Sequence, residues 1–124
     1  MEFKLRTHNC GELRESNIGE KVVLNGWVAV RRDLGGVIFI DLRDRYGITQ
    51  VVFDHTFNAD AHSHAKELRS EYVISIEGTI RKRPEGTENA ALPTGFVDVM
   101  VDNLLILNRA KTPPFPVEDD IDVD

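Results

Sequence analysis

The run Val37-Ile38-Phe39-Ile40-Asp41-Leu42-Arg43 alternates between aliphatic residues and a mixed set. Alternation at period two marks a strand with one face in a core. Ile38, Ile40 and Leu42 then share the core side, and Phe39, Asp41 and Arg43 share the other. An aromatic ring on the outer face of a strand, with polar groups beside it, can carry a stacked base while its neighbours contact the base edge. Gln50, in Thr49-Gln50-Val51-Val52-Phe53, faces the same way if that run is the adjacent strand, as does Val52. Its amide offers both a donor and an acceptor. The plainer reading is that Phe39 packs under a loop or against a second domain.

Arginines form the second candidate group. Arg31 and Arg32 end the first long apolar run, and Arg81 and Arg83 share one parity in a later one, opposite Ile74, Ile76, Gly78 and Ile80. Guanidinium groups at the rim of an aromatic surface would hold phosphates; alternatively they are charges that keep strand edges from pairing. Parity does not choose between Arg31 and Arg32, because Gly26 can mark a bulge that shifts the register. Other chemistry finds little support. His62 and His64 diverge by about 200° on a helix and cannot share a metal there. Cys10 has no activating base nearby in sequence, and Gly35-Gly36 belongs to no phosphate-loop pattern. No catalytic site, metal site or cofactor site is expected in this segment.

Five strand-like segments and one helix must position these residues. Strands are expected over Lys21–Arg32, Val37–Arg43, Thr49–Phe53, Tyr72–Arg83 and Phe96–Leu107, with a Pro- and Gly-containing loop from Pro84 to Gly95. The helix is expected over about Ala59–Arg69, capped by Asn58, with Ala61, Ala65 and Leu68 as its apolar stripe. The order β-β-β-α-β-β suits a five-stranded Greek-key OB barrel with the helix plugging one end. Residues 1–108 would form this domain. Pro113, Pro114, Pro116 and the acidic tail mark 109–124 as a linker.

Composition bounds the function. The net charge is −6, but five of the 21 carboxylates lie in the tail Glu118–Asp124. Residues 1–117 therefore carry 15 basic against 16 acidic groups. Such a body does not bind polyanions by bulk charge, though a local basic strip can still recognise a short RNA segment. No apolar run reaches the length of a membrane span, no signal peptide opens the chain, and the single cysteine forms no internal disulfide, so a cytoplasmic location is expected.

Three stretches resemble a known family. They are Thr7-His8-Asn9-Cys10-Gly11-Glu12-Leu13, Gly26-Trp27-Val28 and Arg32-Asp33-Leu34-Gly35-Gly36 running into Val37–Asp44. With Gly47–Asp54, Gly78-Thr79-Ile80-Arg81 and Pro113-Pro114-Phe115-Pro116, they closely resemble the N-terminal anticodon-binding domain of bacterial aspartyl-tRNA synthetases. Asparaginyl- and lysyl-tRNA synthetases share the middle block; the opening motif and the Arg-Asp-Leu-Gly-Gly run favour the aspartyl family. The resemblance implies recognition of the tRNA(Asp) anticodon loop. Phe39 would stack on the central anticodon uracil, Arg32 and Gln50 would contact bases, and Arg81 and Arg83 would lie near the RNA backbone and anticodon. Asp98 falls where relatives often carry a glutamate near the first anticodon base. It further implies an ATP- and Mg2+-using class II catalytic domain beyond the linker, in a homodimeric enzyme that attaches aspartate to tRNA. A free-standing OB module for single-stranded nucleic acid, or a protein-docking OB domain, are the competing readings.

Overall fold

The computed structural model describes residues 1–109. Its strands are β1 (Lys21–Leu34), β2 (Val37–Asp44), β3 (Gly47–Phe53), β4 (Val73–Lys82) and β5 (Val97–Asn108), with helix α1 (Ala59–Ala65) between β3 and β4. They close into a barrel in the order β1-β2-β3-β5-β4. All neighbours are antiparallel except β3 and β5, which run parallel. This is the expected five-stranded OB barrel with one helix. The 109–124 linker, apart from Arg109, lies outside the described residues.

Strand alternation places the core as read from the sequence. Ile38, Ile40, Leu42, Val51, Phe53 and Ile74 are fully buried inside the barrel. Ala61, Ala65 and Leu68 join the same cluster, so the helix seals one end. Asn58 caps it by accepting the Ala61 N–H at 2.9 Å. The helix stops at Ala65, short of Arg69. From Lys66 the backbone N–H groups bond three residues back, to Ser63, His64 and Ala65, and the Arg69 guanidinium takes up the carbonyls of Lys66 and Leu68. Such tightening is common at a helix end that must turn away.

β1 extends two residues beyond Arg32, because Gly35 and Gly36, both at positive φ, close a tight hairpin directly onto β2. The bulge anticipated at Gly26 lies instead between Val28 and Val30. Gly26 serves a different purpose, since a Cβ there would stand 2.3 Å from the Arg43 carbonyl oxygen. β1 and β2 cross too closely for any side chain.

The opening motif straps the N-terminal segment to the barrel. Thr7 is joined to the Val23 backbone by its N–H donating to the Val23 carbonyl at 2.9 Å and by its Oγ1 accepting from the Val23 N–H at 2.9 Å. The Cys10 N–H donates to Asp44 Oδ2 at 2.8 Å, and Thr49 Oγ1 donates to the Cys10 carbonyl at 2.7 Å. Leu13 then enters the core fully buried, which stabilises the strap by about 1.5–3 kcal/mol. Among the described residues no helix is long and apolar enough to cross a membrane.

Candidate nucleic-acid interface

Register across the barrel assembles two rows of outward-facing residues. Arg81 on β4 pairs with Asp98 on β5, and Asp41 on β2 pairs with Gln50 on β3. The parallel register of Val51 with Val99 sets Gln50 beside Asp98, completing a polar row. In the next row Thr79 pairs with Met100, Met100 with Val52, Val52 with Phe39, and Phe39 with Arg32. The second row is largely apolar. Val52 and Met100 are buried although they lie outside the core cluster that fills the barrel. Phe39 is half-buried and remains accessible beside them.

Side chains of the polar row are joined into one chain, with Arg32 reaching across from the second row to link Gln50 and Asp41. Arg81 grips Asp98 with Nε donating to Oδ1 at 2.7 Å and Nη2 to Oδ2 at 3.2 Å. Gln50 Nε2 donates to Asp98 Oδ2 at 3.4 Å. Arg32 Nη2 donates to Gln50 Oε1 at 3.2 Å and to Asp41 Oδ1 at 3.2 Å. The chain takes one residue from each of the five strands. Arg32, Leu34, Phe39, Gln50, Arg81 and Asp98, with Pro84 and Thr87 from the loop after β4, surround an open cavity of about 230 Å³.

Arg83 departs from the expected arrangement. It lies beyond Lys82, the last residue of β4, and is buried rather than presented beside Arg81 on a solvent face. Its Nε donates to the Val97 carbonyl at 3.0 Å and its Nη1 to the Thr87 carbonyl at 3.3 Å. Burial pushes its pKa down from the ordinary arginine value, opposed by the charges of Asp98 and Asp41. Arg83 therefore pins the loop that carries Thr87 and adds positive charge behind the cavity. Asp98 is likewise fully buried, with both oxygens engaged by Arg81. In this arrangement it stands behind Arg81 and Gln50 rather than at the cavity's open side. Arg81 itself is tied to that carboxylate, with its side chain 38% exposed.

Arg32, rather than Arg31, reaches the site, because the bulge in β1 rotates the strand end. Gln50 is less exposed than parity suggested: packing between Asp41 and Asp98 leaves it 7% accessible. Leu34, Pro84 and Thr87 are participants that the sequence did not single out, and Asp41, expected on the same face as Phe39, had no assigned role. Asp41 was detectable in principle, since it faces outward opposite Gln50 and carries a charge opposite to that of Arg32; the loop residues gave no such signal. His62 and His64 part as helical geometry requires. His62 Nε2 contacts the Gly36 carbonyl, whereas His64 faces Glu67.

Residues 22–107 match the family of OB-fold nucleic acid binding domains. The chain belongs to that family. This OB-fold nucleic acid binding domain is 56% identical over 118 residues to the aspartate–tRNA(Asp/Asn) ligase of Geobacillus sp. (strain WCH70), covering 95% of the chain and 20% of the ligase. It thus spans about a fifth of the length of the curated relatives it matches. Among solved structures, asparaginyl-tRNA synthetase from Pyrococcus horikoshii aligns with a TM-score of 0.69 at 28% identity, over 88% of this chain and 24% of that one. An OBody bound to hen egg-white lysozyme aligns with a TM-score of 0.76 at 27% identity, over 89% of this chain and all of the OBody.

Proposed function

We propose that this OB-fold domain is the anticodon-binding module of an aspartate–tRNA ligase and takes the anticodon loop of tRNA(Asp) in the cavity above Phe39. The observation that carries the reading is the juxtaposition of an accessible ring with a doubly hydrogen-bonded Gln50 amide, rimmed by Arg32 and Arg81, in a chain so similar to those ligases. A base stacks on Phe39, and the remaining amide donor and acceptor of Gln50 meet its edge. Arg32, Arg81 and the buried Arg83 outnumber Asp41 and Asp98 by one charge, which favours an anionic strand without a basic body.

In the longer protein, a class II catalytic domain using ATP and Mg2+ would attach aspartate to the tRNA so selected, and the enzyme would be a homodimer. The test is titration of the chain with stem-loops carrying the aspartate anticodon, against loops with the central uracil replaced. Preferential binding of the matched loop supports the reading. Equal binding of both would identify a nonspecific single-strand module, and binding of neither a protein-docking domain.

A further inference from the structure

We propose that Asp41 and Asp98 are positioning residues: they fix which way round the Gln50 amide stands, and that orientation sets the choice between uracil and cytosine on the Phe39 ring. The proposal rests on the anticodon reading above. A carboxamide has two ends of nearly equal shape that differ only in hydrogen-bond sense. On an ordinary strand face such a group turns over freely and accepts either sense of partner. Here it is bracketed by partners of fixed sense. The guanidinium of Arg32 can only donate, so the end 3.2 Å away must be Oε1. The Asp98 carboxylate can only accept, so the end 3.4 Å away must be Nε2. Reversal would set N–H against N–H at one end and oxygen against oxygen at the other.

The brackets are themselves held. Asp41 Oδ1 accepts from the same Arg32 nitrogen that reaches Gln50, which keeps the guanidinium in place. Asp98 is clamped by two bonds from Arg81 and is inaccessible to solvent. Once these bonds are made, the amide retains one lone pair and one N–H for a ligand. At ring positions 3 and 4, uracil offers a donor and then an acceptor, whereas cytosine offers the reverse. A pinned amide suits one of the two in a given stacked pose. An amide released to turn over suits both.

The experiment compares the unaltered chain with its Asp41→Leu and Asp98→Asn variants. Dissociation constants are measured for stem-loops with uracil or cytosine at the central anticodon position, alongside thermal unfolding. The unaltered chain should prefer uracil, and each variant should reduce the uracil-to-cytosine ratio on the order of ten-fold, chiefly by binding the cytosine loop better. A merely structural role for the aspartates would weaken both loops alike and leave the ratio standing, which overturns the proposal. Asp41 is partly exposed, and leucine keeps its branched shape without an acceptor for Arg32, so Asp41→Leu decides the matter even if the buried Asp98→Asn variant fails to fold. Absence of any preference in the unaltered chain would instead sink the anticodon reading, and this proposal with it.

Discussion

Replacing Phe39 separates stacking from every other contribution to the site. The ring is half-buried and lies in register with Val52, which is 1% exposed. Complete loss of a fully buried Phe ring costs about 3–5 kcal/mol, so Phe39→Ala should destabilise the barrel by roughly half that, about 2 kcal/mol, and lower Tm by about 8–16 °C. Phe39→Leu keeps apolar cover over Val52 and should cost less. Both variants remove the π face, and stacking of one base contributes about 1–3 kcal/mol, or roughly 5- to 150-fold in affinity. Fluorescence anisotropy with labelled stem-loops, well below either Tm, should show both variants weakened by similar factors. The loss should be alike for matched and centrally replaced loops, because any base has a face to stack. Leucine binding as tightly as phenylalanine, or a loss confined to one central base, would refute stacking as the role of this ring.

The other predictions concern charged groups on β4 and just beyond its end. Arg83→Ala strands the Val97 and Thr87 carbonyls and should destabilise the fold by about 1–3 kcal/mol in denaturant titration; an unchanged midpoint would mean that the guanidinium pins nothing. Arg81→Ala should also lower stability, by leaving the buried Asp98 short of two donors, and Asp98→Asn added to it should recover part of the loss. Additive losses in that double-mutant cycle would contradict the pairing. Glu77 is held below its ordinary value of 4.5, chiefly by the hydrogen bond from Lys4 and further by that from Asn103. A depressed folded pKa adds stability that is complete above the unfolded value and lost as pH falls through the folded one. The Tm gap between the unaltered chain and Glu77→Gln should therefore be steady above about pH 4.5 and close in more acid solution; a gap that widens on acidification would reverse the sign.

Much of the architecture was legible because period-two alternation is a local property. Ile38, Ile40 and Leu42 face inward and Phe39 outward for reasons contained in seven residues. What escaped were partnerships between residues far apart in the chain. Arg83 reads like Arg81 by parity, yet its burial depends on the carbonyl of Val97 on β5 and on how the loop after β4 folds back. Asp98 is buried because β5 sets Arg81 on one side and Gln50 on the other, a fact of closure that no single strand encodes. Arg31 and Arg32 could not be told apart while the bulge between Val28 and Val30 was unplaced; the resemblance to aspartyl-tRNA synthetases pointed to Arg32 by analogy alone. Helix α1 ended early for a similar reason, since its stripe continues to Leu68 while the backbone has already tightened.

Closure of the barrel is uneven. β3 and β5 meet in only two residue pairs, Val51 with Val99 and Val52 with Met100, against seven along β2 and β3 and ten along β4 and β5. Where that short ladder stops, the Gln50–Asp98 bond carries the joint one step further through side chains. A ligand resting on Phe39, Gln50 and Arg81 bridges β2, β3 and β4 across this thinnest place and acts as a clasp. Its binding energy then resists the parting of the seam. Amide hydrogens of Val51, Val52, Val99 and Met100 that exchange by such opening should slow by a factor of 1 + [L]/Kd on saturation with RNA, while those that exchange by local fraying at the remote β4–β5 end near Asn108 keep their rates.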